Sequence, residues 1–289
     1  MPGILYVVAT PIGNLQDMTE RGIETLKNVD LIAAEDTRNT LKLLNHFDIH
    51  TPQVSNHKFN EYQTVDSLVA KLQEGKSIAI VSDAGTPCVN DPGYVLVKAA
   101  SEAGITVVGV SGACAAVTAV SASGLCSDTF RFMGFFPREH KETDELFELI
   151  RNSKEDLYIF YESPKRIKET ISLIKEELPT AKLSLCNDLT KAHERIYRGS
   201  PEEVLSELMG NPNAEKGEYC LTMYYEPVAV EEKEDELSLE ALLTDCMVKT
   251  GCSLKEAIKN LSGRKDILAG KNEIYAASLK LKDLFGGRD

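Results

Sequence analysis

Four short apolar runs, at 4–9, 29–34, 77–82 and 105–110, alternate with helical patterns along the first 125 residues, and few folds satisfy that alternation. Each run is rich in Val and Ile and bounded by turn residues, the pattern of a strand buried on both faces. Between them a 3.6-residue apolar period predicts helices over 19–28, 37–46, 61–74 and 93–103, the last two stopped by Gly75 and Gly104. The small residues from Gly112 to Gly124 predict one more helix, lying close against a sheet. Strand and helix in turn predict a mostly parallel sheet covered on both faces.

The rhythm changes near residue 128. Strands are expected at 129–136, 156–162, 182–186, 194–199 and 218–226, with helices at 139–152, 164–178 and 201–209. Few of these connections are βαβ crossovers, so a second α/β domain with antiparallel pairs is expected. Residues 231–250 carry seven acids and two lysines, which reads as a solvated linker running into a helix. From 251 onward eight Lys and Arg face five Asp and Glu, and Ser253–Leu261 and Asn272–Leu284 read as helices with Ser and Asn caps. The expected organisation is an N-terminal α/β domain over 1–125, a second over 126–228, and an acidic linker with a small helical module over 229–289.

Two loops are informative. Val8-Ala9-Thr10-Pro11-Ile12-Gly13-Asn14 ends the first run, and Val81-Ser82-Asp83-Ala84-Gly85-Thr86-Pro87 ends the third, with Asp91-Pro92-Gly93 behind it. Both lie where a parallel strand stops, the place where open α/β sheets hold small ligands. Pro and Gly allow unusual backbone angles there and a close approach to the main chain. Together the loops predict a ligand crevice.

The net charge of −13 argues against gripping nucleic acid through the overall field, while leaving room for a local basic face. Seven scattered cysteines without a C-x-x-C pair argue against disulfides and zinc, and for a reducing compartment. No apolar stretch reaches membrane-spanning length, and Met1-Pro2-Gly3 lacks the charged start of a signal peptide. A soluble cytoplasmic protein with no metal and no membrane partner is expected.

Several motifs fail on inspection. Gly75-Lys76-Ser77 would need a Gly five positions earlier to be a phosphate loop, but Ala70 stands there and a strand follows. His193-Glu194 lacks the second His of a zinc-protease helix, and Ser111 lacks the closing Gly of a nucleophile elbow. Glu35 lies about 22 residues after Gly13, where a dinucleotide site places its ribose-binding acid. The first loop, however, has one Gly where that fingerprint needs three, so a buried diphosphate does not fit.

Six segments form an ordered series. They are Leu5-Tyr6-Val7-Val8-Ala9-Thr10-Pro11-Ile12-Gly13-Asn14-Leu15, Ala33-Ala34-Glu35-Asp36-Thr37-Arg38, the 81–87 loop with Asp91-Pro92-Gly93-Tyr94, Ser121-Ala122-Ser123-Gly124-Leu125, Phe160-Tyr161-Glu162-Ser163-Pro164, and Leu189-Thr190-Lys191. From about residue 4 to 226 the chain resembles the small-subunit ribosomal RNA 2′-O-ribose methyltransferases of the tetrapyrrole methylase superfamily. More weakly, Ser253-Leu254-Lys255-Glu256-Ala257 and Asn272-Glu273-Ile274-Tyr275 resemble the family's C-terminal helical module.

The resemblance implies two α/β domains with a cleft between them that holds S-adenosylmethionine. It implies methylation of a cytidine ribose 2′-hydroxyl in small-subunit (16S) RNA, either naked or in the assembled 30S subunit, by a homodimer. The cofactor positions it implies are Pro11, Ser82, Asp83, Ala84, Thr86, Cys114, Ala115, Tyr161 and Leu189. Three segments depart from the family. Ser111-Gly112-Ala113-Cys114-Ala115 replaces Pro-Gly-Pro-Ser-Ala, Asn187-Asp188 replaces Arg-Glu, and Ser55-Asn56-His57-Lys58-Phe59-Asn60-Glu61 keeps one His of two.

A ribose hydroxyl is a poor nucleophile at neutral pH, so a proton acceptor is expected, with Asp36, His57 and Glu162 as candidates. Asp36 reads equally as an N-cap for the helix starting near Thr37. Arg38, Lys165, Arg166 and Lys191 are the expected phosphate contacts, while Phe132, Phe135 and Phe136 are expected in the core or a domain contact. Two other readings stay open: C-methylation of a tetrapyrrole precursor, and a non-catalytic ribosome-assembly factor that keeps the fold.

Overall fold

The structure is a computed structural model that describes residues 1–125, 128–153, 157–226, 238–262, 264 and 269–284. The chain divides into two compact units, residues 1–227 and 228–289.

The first unit opens with strands β1 (Ile4–Val8), β2 (Leu31–Ala34), β3 (Gln53–Ser55), β4 (Ile78–Val81) and β5 (Thr106–Val110). They form one sheet in the order β3-β2-β4-β1-β5, with every pairing parallel. Helices α1 (Glu20–Asn28), α2 (Thr37–His46), α3 (Glu61–Gln73) and α4 (Tyr94–Glu102) connect them. The apolar runs are continuous because both faces are covered. In β4, Ile78 and Ile80 face Leu72 of α3 and Leu96 of α4, while Ala79 and Val81 join Leu26 of α1 and Leu44 of α2. Strand β3, absent from the sequence reading, is a three-residue edge strand of half-buried residues.

After β5 the small-residue helix α5 (Ala115–Ser123) leads to the second sheet. That sheet contains β6 (Arg131–Phe135), β7 (Leu157–Glu162), β8 (Lys182–Asn187), β9 (Arg195–Gly199) and β10 (Tyr219–Tyr224), in the order β6-β7-β10-β8-β9. Only β6 and β7 run parallel; the other pairs are antiparallel, as the irregular connections predict. Helices α6 (His140–Asn152), α7 (Ile167–Glu177) and α8 (Pro201–Gly210) cover one face, where Phe147, Ile171 and Val204 pack on Phe160, Leu185 and Leu221. The other face, with Ile159, Cys186 and Cys220, packs against Ala116 and Ala119 of α5. The sheet that α5 lies close against is therefore the second one. Arg198 of β9 donates to the carbonyls of Ala122 and Ser123 (2.6 and 3.1 Å), satisfying the otherwise orphan C-terminal groups of α5.

The second unit holds α9 (Leu239–Thr250), α10 (Leu254–Leu261) and α11 (Lys271–Leu284), packed through Leu243, Ala257, Leu261, Ile274 and Ala277. Ser253 and Glu256 form the capping box at the start of α10. Helix α11 begins at Lys271, so Asn272 lies inside its first turn and does not cap it. The acidic stretch of the expected linker up to residue 237 lies outside the described residues. Among the described residues no helix is long and apolar enough to cross a membrane.

Candidate active site

The parallel order of the first sheet sends the loops after β1, β4 and β5 to one edge. The first two of these loops hold each other. Thr10 and Gly85 exchange backbone hydrogen bonds of 2.8 and 3.0 Å, and the Thr10 hydroxyl donates to the Ser82 carbonyl at 3.2 Å. Gly85 has φ +82°, a backbone angle that side chains disfavour, and a Cβ there would sit 3.3 Å from Ile12 Cγ2. The Thr86 hydroxyl ties the second loop to the third through the Ala113 carbonyl at 3.0 Å.

Opposite stands the edge of the second sheet where β7 and β8 end and β10 begins, since Tyr219 pairs with both Glu162 and Asn187. Between the two lies a cleft of about 370 Å3, within the usual range of small-ligand pockets. Ile12, Val89, Leu189 and Cys220 give it apolar walls, and Thr86, Asn90, Asp91 and Glu218 supply polar groups. Five non-glycine residues among those described have positive φ, and four flank this cleft: Cys88 (+68°), Asn90 (+64°), Asp188 (+52°) and Thr190 (+66°). For a β-branched residue such as Thr190 this is a genuine outlier, and its buried hydroxyl oxygen has no partner in the described structure. Strain of this kind persists where the surroundings impose it, commonly at ligand sites.

A family model described as Tetrapyrrole (Corrin/Porphyrin) Methylases matches residues 4–205. The chain belongs to the tetrapyrrole methylase family. Proteins named ribosomal RNA small subunit methyltransferase I are similar along nearly the whole length. The one from Halalkalibacterium halodurans is 44% identical, covering 94% of this chain and 93% of its own. The one from Bacillus subtilis is 41% identical, covering 95% and 94%. Two solved structures share the fold: a uroporphyrin-III-C-methyltransferase from Thermus thermophilus (20% identity, TM-score 0.52, 79% of this chain and 97% of that one) and a diphthine synthase (11%, 0.59, 77% and 90%).

On this tetrapyrrole methylase framework the sequence candidates separate. Ala84, Thr86, Cys114, Ala115, Tyr161, Leu189 and Glu162 line the cleft. Pro11, Ser82 and Asp83 do not; they line a neighbouring hollow of about 240 Å3 with Asn39 and Lys42. Burial pushes the Tyr161 phenol and the Cys220 thiol well above their ordinary values, so both stay neutral at physiological pH.

Each proposed proton acceptor is engaged elsewhere. Asp36 caps α2, accepting from the Arg38 amide at 2.8 Å and the Arg38 guanidinium at 2.6 and 3.0 Å. Those bonds hold its carboxyl far below the usual range, making it a feeble base. The His57 Nδ1 accepts the Phe59 amide at 3.2 Å, and His57 does not line the cleft. Glu162, only 3% exposed, accepts from the Ser163 amide and the Thr170 hydroxyl, both at 2.6 Å, and pairs with Arg166.

The expected phosphate contacts separate too. Arg166 is turned inward: it donates to the carbonyls of Phe136 (3.2 Å) and Pro137 (2.7 Å) besides meeting Glu162. Lys191 pairs with Asp188 and Glu218 at 2.8 Å, and its stem crosses Gly13, where any Cβ would lie 2.5 Å from its Cγ. Arg38 pairs with Asp36 but leaves most of its side chain in solvent, and Lys165 is exposed. Phe136 is core and Phe132 packs on Tyr161, as expected; Phe135 is more than half exposed and lines the cleft.

Sequence reasoning passed over Asp91 as a functional group. It lines the cleft, and its carboxyl is pushed up to about 6 by burial and by the charges of Glu35 and Asp83. Its one signal was the Asp91-Pro92-Gly93 turn behind the second loop.

Proposed function

We propose that this chain transfers a methyl group from S-adenosylmethionine to a cytidine ribose 2′-hydroxyl in small-subunit ribosomal RNA. The observation that carries this reading is convergence. Ala84, Thr86, Cys114, Ala115, Tyr161 and Leu189 lie far apart in the sequence and meet on one cleft. Relatives along nearly the whole chain carry a ribosomal RNA small subunit methyltransferase name.

The cleft suits the donor. Apolar Ile12, Val89 and Leu189 can pack against a nucleoside, and the Gly85 turn lets a ligand lie close to the backbone. The carboxylates of Asp91 and Glu218 on the lining favour a ligand bearing sulfonium and ammonium charges. When bound, that donor supplies an activated methyl. What remains for the protein is alignment of the incoming oxygen with the methyl carbon, shelter from water, and acceptance of one proton. Exposed Lys165, beside the cleft residues Ser163 and Pro164, and Arg38 are the cations best placed to meet RNA phosphates. A chain of net charge −13 gains little from its overall field, so shape on an assembled 30S subunit and pairing of two copies are proposed to supply the rest of the affinity.

The test is mass mapping of ribose methylation in small-subunit RNA with and without the protein, on naked RNA and on 30S subunits. One added 2′-O-methylcytidine that depends on the protein is expected. An unchanged map, alongside retained S-adenosylmethionine binding by calorimetry, would overturn the assignment and favour a non-catalytic assembly role.

A further inference from the structure

Asp91 differs from the other carboxylates at this end of the first sheet. Asp36 is saturated by Arg38. Glu35 accepts the Asp83 amide at 3.1 Å; Asp83 in turn accepts the Asp36 amide at 3.1 Å and the Asn39 side-chain amide at 2.9 Å. Glu61, at the start of α3, accepts the Gly93 amide at 3.2 Å and so fixes the turn that follows Asp91. Asp91 has no lysine, arginine or histidine partner among the described residues; its polar neighbour is the Ser82 hydroxyl. It is half-buried and opens onto the cleft, on the wall opposite Tyr161 and Glu162.

We propose that Asp91 is the group that accepts the hydroxyl proton during methyl transfer. The inference rests on the reading of the chain as an RNA ribose methyltransferase. In the step, the substrate oxygen uses a lone pair to bond the methyl carbon, and the carbon–sulfur pair stays with sulfur as a neutral thioether. The O–H bond breaks with its electrons left on oxygen, and the proton goes to the Asp91 carboxylate. One cationic centre and one carboxylate thus disappear together. Such a change is favoured by a site that solvates charge less well than water, which is the environment that makes Asp91 hold its proton more tightly.

The groups facing Asp91 set its behaviour. Glu35 after β2 and Asp83 after β4 add negative charge, the neighbouring Ser82 hydroxyl works weakly the other way, and Tyr161 across the cleft is neutral and half-buried. With its carboxyl near 6, Asp91 is ionised at neutral pH yet more basic than an ordinary aspartate, the compromise a general base needs. Removing the mutual repulsion should make the protein harder to melt, so loss of activity in Asp91→Asn will not reflect misfolding.

The experiment begins with wild-type turnover on the RNA substrate; no turnover there sinks the functional reading itself. Given turnover, and at S-adenosylmethionine concentrations that saturate each variant by calorimetry, Asp91→Asn is expected to lower kcat by about 10²- to 10⁴-fold, with Asp91→Glu partly restoring the rate. Wild-type log kcat should rise with pH and level off above about 6, following the carboxyl, and Glu35→Gln should move that limb toward lower pH. Carbon-13 NMR of the unliganded protein reads the same carboxyl without turnover. Asp91→Asn within about tenfold of wild type, or an Asp91 resonance titrating at the ordinary aspartate value of about 4, would overturn the proposal.

Discussion

Asp91 and Glu162 stand on opposite walls of one cleft, and only one of them has its lone pairs filled. Glu162 ends β7, where that strand pairs antiparallel with β10, and is met by an amide, a hydroxyl and a guanidinium. Asp91 sits among loops after parallel strands, near two other carboxylates and no cation partner. The backbone divides differently. The second-sheet wall has a continuous ladder from Tyr219 to Tyr224, with Asp188 and Thr190 held at positive φ in the loop beside it, whereas the first-sheet wall depends on one exchanged bond pair at Thr10 and Gly85 and on positive φ at Cys88 and Asn90. Both walls carry strained loops, and they part at their carboxylates, one bonded on every side and the other open to the cleft.

The contrast can be broken from either side. The largest expected effect is Glu162→Ala, which strands the fully buried Thr170 hydroxyl and removes the carboxylate facing Arg166. A loss of about 3 kcal/mol or more in urea unfolding is expected, typical of breaking a buried pair from one side; a loss under about 1 kcal/mol would contradict the structural role. Gly85→Ala comes next. The strain of φ +82° and the approach to Ile12 should cost about 1–2 kcal/mol, and calorimetry should show weaker donor binding than wild type.

Asp91→Asn should act with the opposite sign. The folded carboxyl titrates near 6, above its ordinary 3.8, so between those values the folded chain keeps a proton that the unfolded chain releases. Stability therefore falls as pH climbs through that window and stays lower above it. Asn removes the fall, a gain of about 1–2 kcal/mol at pH 7 once solvent screening of a half-exposed group is allowed for. Thermal melts should show the gap between variant and wild type shrinking toward pH 4. The smallest effect belongs to Lys165→Ala: stability within about 0.5 kcal/mol of wild type, and a salt dependence of RNA binding shallower by about 0.7–0.9 in log–log slope. An unchanged slope would remove Lys165 from the RNA face.

Much of this was legible in advance. Buried runs such as Ile78–Val81 announce strands because both faces are apolar, and Gly75 and Gly104, with φ of +98° and +69°, do stop their helices. The loops after β1 and β4 were visible as a pair because Pro and Gly mark them. What stayed hidden depends on distant partners. Gln53–Ser55 is too short and too evenly half-buried to show a period. No local pattern tells that Thr190 takes a left-handed backbone angle. Arg166 and Lys165 look alike in the sequence, and only folding sends the first to the carbonyls of Phe136 and Pro137. Asp91 gains its proton affinity from burial first and then from Glu35 and Asp83, which reach it only when β2 and β4 align.

Arg198 closes the end of α5 from seventy-five residues further along the chain. During synthesis, then, the first five strands can emerge and pair while the helix behind them has an unfinished last turn and a bare alanine face. The cleft comes into being only when β9 and β10 arrive to cover that face and supply the guanidinium. A nascent chain halted before Arg198 would carry the first sheet without the wall that completes the cleft.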